Sequence, residues 1–351
     1  MANLFQIALI PKQIKVYVFA ITLSIKKKNF SSMSKEIGIS LNRFYGVYRD
    51  LKRNIDHTKA TLIKIATSSR KESLPSVLII DATQIKKWFA QSIENLAFDY
   101  DGVIQKSKKC LSPVVAAWSN LKITVPLDFM FWTNRQFTKN YKKKTELAQE
   151  LIHGLKSLIP IDYVILDGAF ASFKMIDFFN KNNINYCMRI PRNRVIISQD
   201  GTKEQLQKHP ALKLKRNQRY KTIVAIYKGI ECFFTAHKRY SKKKKALDVV
   251  YIVSSLNISP KEQAKAYNIR WNIEKMFRTT KQSLGLADCQ STNIEKQRLH
   301  IFSVFLSYAL LEEQKLYYKK KSVEEVLRSI RIQKTLPPRF ESYLWEQTIM
   351  N

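Results

Sequence analysis

Four apolar residues in a row, Val77 to Ile80 in "SVLIID", stop abruptly at Asp81. Short unbroken apolar runs of this kind predict a strand buried on both faces. The pattern returns in "DYVILDGAF", where Asp167 closes the run and Gly168 follows. Between them, "CLSPVVAAWSNLKITVPLDFMFW" holds two β-rich runs joined at Ser119–Lys122, which predicts a hairpin, and a helix is expected over roughly Lys144–Leu158. "SFKMIDFFNKNN" reads as a helix and "YCMRI" as a further strand. Strand, hairpin, helix, strand, helix, strand predicts an α/β fold with a mixed sheet covered by helices.

Residues 192–260 change character, with short β-prone runs such as "YKTIVAIYKG" and "LDVVYIVSS" separated by basic turns. They predict an antiparallel β unit inserted before the final helices, and from Ser259 to the C-terminus the pattern is helical. At the other end, the apolar stretch Leu4–Ile25 is interrupted by Pro11, Lys12 and Lys15. It makes a poor membrane span, lacks the charged start of a signal peptide, and reads as a packed helix. Residues 31–52 predict two short helices joined by a turn at Gly38, with Ser40 capping the second, which carries Asn42, Arg43, Tyr45 and Arg49. This is helix-turn-helix spacing, and an ordinary helical hairpin fits it equally well. The expected organisation is a helical region over 1–72 and a larger domain over 73–351 that contains the 192–260 insertion.

Charge tips that balance towards DNA. The 351 residues hold 61 Lys and Arg against 28 Asp and Glu, a formal net charge of +33. A 45% hydrophobic content provides a real core, so this is no disordered basic tail. The excess recurs in runs such as Lys26–Lys28, Lys142–Lys144, Lys242–Lys245 and Lys319–Lys321. Such a field attracts polyanions, nucleic acid first and an anionic membrane second. A solvated lysine surface accounts for part of it but not for the shortage of acids. The four cysteines, Cys110, Cys187, Cys232 and Cys289, form no CxxC pair, which argues against a disulfide framework or zinc and for a reducing cytoplasm. The five histidines form no metal-binding pair, so any metal falls to carboxylates, which points to Mg²⁺ or Mn²⁺. The absence of a Walker-type or dinucleotide glycine loop disfavours a nucleotide cofactor.

The chemistry concentrates in three acids. A carboxylate at the end of a buried strand is costly unless paired or metal-bound, and Asp81 and Asp167 both take that place. The third, Glu274, stands among cations in "YNIRWNIEKMFRTTKQSLG". Read as one helix at about 100° per residue, Tyr267, Arg270, Glu274 and Lys281 share one face, and Arg278 joins it. A surface salt bridge on an amphipathic helix is the plain alternative, but it needs no tyrosine in line.

The pattern Y-x2-R-x3-E-x6-K, filled by Tyr267, Arg270, Glu274 and Lys281, resembles the motif of the insertion-sequence-4 family of DDE transposases. The similarity in order, Asp81, then Asp167 with Gly168, then an inserted β unit, then the glutamate, extends from about residue 75 to 312. The resemblance implies an RNase H-like catalytic core in which Asp81, Asp167 and Glu274 hold two Mg²⁺ or Mn²⁺ ions. It further implies that Tyr267, Arg270, Lys281 and Arg278 grip DNA around them, with Arg43 and Arg49 contributing from the N-terminal helices. The expected activity is metal-dependent strand cleavage and strand transfer on double-stranded DNA. The expected setting is a homodimer on paired element ends in a prokaryotic cytoplasm, associated with the nucleoid and not with a membrane. A domesticated or inactive relative that only binds DNA is the alternative. A dehalogenase-type phosphatase needs a second Asp two residues after the first, where Thr83 stands, and a plain DNA-binding regulator leaves three acids unused. Asp99, Asp101, Asp162 and Asp177 are assigned to turns and helix surfaces.

Overall fold

The computed structural model describes residues 10–102, 104–138, 140–241 and 245–333. In chain order the elements begin with α1 (Lys12–Leu23), α2 (Phe30–Ile37), α3 (Leu41–Tyr45) and α4 (Leu51–Ser68). They continue with β1 (Val77–Ala82), β2 (Ile85–Lys86), β3 (Ala97–Asp101), β4 (Lys106–Ser119), β5 (Thr124–Trp132), α5 (Lys144–Lys156), β6 (Tyr163–Leu166), α6 (Phe173–Lys181) and β7 (Tyr186–Ile190). Then come β8 (Val195–Ser198), β9 (Lys203–Gln205), β10 (Tyr220–Tyr227), β11 (Ile230–Ser241), β12 (Ala246–Ser254), α7 (Pro260–Asn268), α8 (Trp271–Gln282), α9 (Ile294–Tyr317) and α10 (Val323–Gln333). The mixed α/β expectation holds, and the hairpin, the inserted strands and the strand before each aspartate lie where the pattern puts them. The parts of the Leu4–Ile25, Lys242–Lys245 and C-terminal helical readings on residues 1–9, 242–244 and 334–351 fall outside the described residues.

The chain forms two compact units. The first comprises the described residues of Met1–Pro75, Ala82–Pro160 and Ile273–Asn351, the second those of Ser76–Asp81 and Ile161–Asn272.

In the first unit β4 pairs antiparallel with β2, β3 and β5. Every residue of β4 from Cys110 to Ser119 is buried, which is why its apolar run is continuous rather than alternating. The β4–β5 turn is tied by the Asn120 side chain, whose Oδ1 accepts from the backbone N–H groups of Lys122 and Ile123 at 3.1 and 3.0 Å. Helix α9 packs against β5, α4, α1 and α10. Every residue of it from Leu299 to Glu312 is buried, as in a helix enclosed by others. Burial pushes the carboxyl of Glu312, on α9, up; it accepts a hydrogen bond from Tyr308 at 2.6 Å and pairs with Lys315.

The N-terminal hairpin has the expected shape but a weaker second arm. Asn29 caps α2 by accepting from the Ser32 N–H at 2.8 Å, and Gly38 ends it at φ 78°, a left-handed conformation that favours glycine. Ser40, expected as a cap, makes no side-chain cap bond, and α3 lasts five residues before a 3-10 turn at Gly46–Tyr48.

In the second unit β1, β6 and β7 are parallel, and β12, β11, β10, β8 and β9 continue the sheet antiparallel from β7. Helix α7 covers β7 and β10–β12. Its Gln263, fully buried, accepts from Thr235 Oγ1 at 2.5 Å and donates to Leu256 O at 3.1 Å, which satisfies an amide that would otherwise be costly. Back in the first unit, Asp99 and Asp101 lie on β3, not in a turn; Asp99 is held by Lys144 Nζ at 2.6 Å and Ser112 Oγ at 2.7 Å. The alternation on this short strand was too weak to read from sequence.

Candidate active site

Strand register brings the two aspartates together. Ile80 is opposite Leu166, the last rung of the parallel β1–β6 ladder, so Asp81 and Asp167 follow side by side at its end. Residues on one rung of a parallel pair lean to the same sheet face. Both strands end here: β1 finishes at Ala82, and Asp167 leads into a 3-10 turn at Gly168–Phe170. The apolar runs bury the strands, and the abrupt polar stop leaves each carboxylate half-buried at the rim.

Arg270 lies against both. Its Nη1 donates to Asp81 Oδ2 at 3.2 Å, and its Nε lies 3.8 Å from Asp167 Oδ1. The guanidinium carbon is 5.8 Å from the ring centres of Tyr267 and Trp271. The Tyr267 hydroxyl donates to Asp167 Oδ1 at 3.3 Å, and the ring is 5% exposed. Burial pushes the Tyr267 phenol well up, with Arg270 opposing, so it remains a proton donor to Asp167.

The single helix expected over Tyr267–Gly285 is two. Tyr267 ends α7, Arg270 sits in a tight break, and α8 starts at Trp271. Bonds from Ile269 N–H to Ala266 O at 3.2 Å and from Arg270 N–H to Tyr267 O at 3.1 Å tighten the chain to i→i−3 geometry. No Pro or Gly announces this break, so the one-face projection of Tyr267 and Arg270 with Glu274 does not hold. On α8 itself Glu274, Arg278 and Lys281 do share one stripe, at i, i+4 and i+7. Glu274, half-buried in the first turn, is favoured by the helix dipole; Arg278 and Lys281 are exposed, with Lys281 Nζ 5.9 Å from the Phe277 ring centre. Asp81, Asp167, Tyr267 and Arg270 belong to the second unit, and Glu274, Arg278 and Lys281 to the first. Arg43 on α3 and Arg49 after the 3-10 turn are both exposed.

One residue was missed. Leu166 is opposite Met188, so Arg189 continues the Asp81–Asp167 rung onto a third parallel strand. An added Cβ at Gly168 would make ordinary contact with Arg189, 3.5 Å from its O and 3.7 Å from its Cβ and Cδ, so the two segments are neighbours. The signal was visible in "YCMRI": one exposed cation in an otherwise buried strand.

The donors suit a hard cation. Two carboxylates face a single guanidinium, which occupies the position of positive charge between them, and carboxylate oxygen is the ligand of Mg²⁺ and Mn²⁺. Among the described residues, no three His, Cys, Asp or Glu side chains are gathered as a ready-made metal cluster. Nor, among them, is any helix long and apolar enough to cross a membrane.

No curated protein matches the chain. The sequence profile of the transposase DDE domain matches residues 72–310, which takes in β1, β6, both aspartates, the inserted strands and the α7–α8 break. The mixed sheet with its parallel core and antiparallel extension accords with the RNase H-like core of such domains. With more than half its length covered, the chain belongs to the transposase DDE domain family, a family of nuclease and transposition chemistry on DNA that generally depends on divalent metal.

Proposed function

We propose that this protein is a cut-and-paste transposase of the insertion-sequence-4 family, which binds the ends of its element and catalyses DNA strand cleavage and strand transfer. The observation that supports this most is the rung of Asp81 and Asp167 on parallel strand ends with Arg270 against both. In this reading Asp81, Asp167 and Glu274 hold Mg²⁺ or Mn²⁺. Bound there, two ions supply an activated water or 3′-hydroxyl and stabilise the leaving oxygen.

The chain's own side chains do the rest. Tyr267 fixes the orientation of Asp167 through its hydroxyl. Arg270 would hold a substrate phosphate with its planar fork, and Lys281 and Arg278 would supply point and fork charges along α8. Arg43 and Arg49 on the 1–72 helices contact the backbone of the element end, before a catalytic domain over 73–351 with its 192–260 insertion. Double-stranded DNA is the partner, with two copies on paired ends, in the cytoplasm at the nucleoid and without a nucleotide cofactor.

The test is incubation of the full chain with a labelled duplex carrying the DNA that borders its own gene. Cleavage at the border in Mg²⁺ or Mn²⁺, and none in EDTA, is expected. Binding with no cleavage under any divalent ion would leave the DNA-binding relative as the reading.

A further inference from the structure

A second site lies in the first unit, where nothing in the cleavage chemistry accounts for it. Between the start of α2, the α3 turn and the 289–296 segment is a cavity of about 250 Å³. Phe30, Tyr45 and Tyr48 wall it as a connected aromatic cluster: Phe30 lies 5.4 Å from Tyr45 and 5.1 Å from Tyr48, ring centre to ring centre. Lys28 and Lys296 also line it, with no acidic side chain among the lining residues. Lys296 Nζ stands 4.7 Å over the Tyr48 ring, whereas Tyr45 is 55% exposed.

Packing alone does not explain these residues. Lys28 is 4% exposed, its Nζ donates to Lys26 O at 2.5 Å, and its backbone N–H is fixed on Asp288 Oδ2 at 2.8 Å. Burial first, then the Arg331 charge, pulls its pKa down to about 8, so it still carries its proton at neutral pH. A cation beside the opening of a helix N-terminus favours an anion, and the exposed Tyr45 ring favours a planar partner. Lys87 braces the wall by donating to Ala287 O and Cys289 O at 2.8 and 2.5 Å. The volume suits one ring system and its phosphate, not a run of several.

We infer that this cavity holds a single unpaired nucleotide of the DNA substrate, its base stacked on the exposed Tyr45 ring and its phosphate against Lys296. The inference rests on the DNA-processing reading above. It gives the aromatic residues of the N-terminal hairpin a role of their own beside the DNA contacts proposed for Arg43 and Arg49.

Fluorescence anisotropy with the full chain in Ca²⁺ tests it, using a blunt duplex, the same duplex with one unpaired terminal nucleotide, and that duplex with an abasic unit in the unpaired position. The unpaired base should strengthen binding about tenfold over the blunt end, and the abasic unit should abolish the gain. Tyr45→Ala should bring the ratio to about one, and Tyr45→Phe should keep it. Ser31→Glu, at the exposed rim in the first turn of α2, places a carboxylate in the mouth without straining the helix and should also remove the preference. A wild-type ratio of one, an abasic gain equal to the base, or ratios unchanged in Tyr45→Ala and Ser31→Glu would each overturn the inference. Cleavage of the paired duplex in Mg²⁺ is read separately, so loss of this site leaves the transposase reading standing, and the converse holds.

Discussion

Arg270 donates to the Asp81 carboxylate at 3.2 Å, with the two side chains only 13% and 16% exposed. The same guanidinium approaches Asp167, so one cation offsets two neighbouring anions. Arg270→Ala should therefore destabilise the metal-free protein by about 1–3 kcal/mol, because two half-buried carboxylates are left facing each other. Mn²⁺ should restore most of that loss and bind the variant at least as tightly as wild type, while DNA cleavage falls. Thermal melts in EDTA and in Mn²⁺ check this; identical melting of variant and wild type in EDTA would sink it.

Asp81→Asn, Asp167→Asn and Glu274→Gln keep shape but remove the anion. Each should lower metal-dependent cleavage by about three decades or more, equivalent to ~4 kcal/mol of barrier, and leave gel-shift affinity in Ca²⁺ intact or raised. Asp177→Asn is the control, since its carboxylate pairs with Lys181 at 2.7 Å on the surface of α6 and such pairs contribute little. Asp99 is no control, because Lys144 and Ser112 both depend on it. If Asp81→Asn cuts as wild type does, the site is elsewhere.

Arg189 shares the rung of the two aspartates. Arg189→Ala should weaken binding of end-bearing DNA and reduce the slope of log affinity against log salt by about one, the signature of one lost phosphate contact. An unchanged slope would restrict Arg189 to packing against Gly168.

How far the sequence could be read follows from the reach of each force. The strands before Asp81 and Asp167 were legible because burial on both faces writes a continuous apolar run, and the polar stop marks where the strand reaches solvent. The rung that joins Asp81 to Asp167 and Arg189 was not, because register is set between segments far apart in sequence. The break at Arg270 escaped for a different reason: "YNIRWNI" contains no helix breaker, and the ion pairs that accompany the break are tertiary. Ser40 shows the reverse, a residue of the right type for a cap in a place where no N–H reaches it.

His300 sets a pH limit on the first unit. Its Nε2 lies 2.8 Å from Gly285 O, so that nitrogen carries the hydrogen, and Nδ1 accepts from the Tyr17 hydroxyl at 2.5 Å. Burial pulls its pKa from 6.5 to about 4. The folded state thus holds a neutral ring that the unfolded chain protonates below about 6.5. The stability this gives is fully present above that pH and is lost as pH falls towards 4, by up to about 3 kcal/mol. His300→Gln should flatten that part of the slope in urea midpoints measured between pH 7.5 and 4.5; an identical slope would mean another group titrates.

Gly285 takes φ 69°, and a Cβ there would come within 2.6 Å of Asp288 Oδ2 and 2.8 Å of Lys28 Cβ and Cγ. Gly285→Ala should cost about 2 kcal/mol or more, from backbone strain and displacement of Lys28 together. Circular-dichroism melts measure it, and a neutral result would mean that this segment yields.

The β1–β6 ladder has a consequence for the order in which the protein is made. Val77 pairs with Tyr163, and the hairpin and helix between them belong to the first unit. On the ribosome, the strand bearing Asp81 must wait for its neighbour through most of a domain's worth of synthesis, and such distant pairings close slowly. Asp167 arrives next, then the inserted strands, and Arg270 only after all of them. Until residue 270 is made, both carboxylates lack the guanidinium that lies against them in the folded chain. Assembly of the site therefore waits on Arg270, which follows both aspartates in the chain.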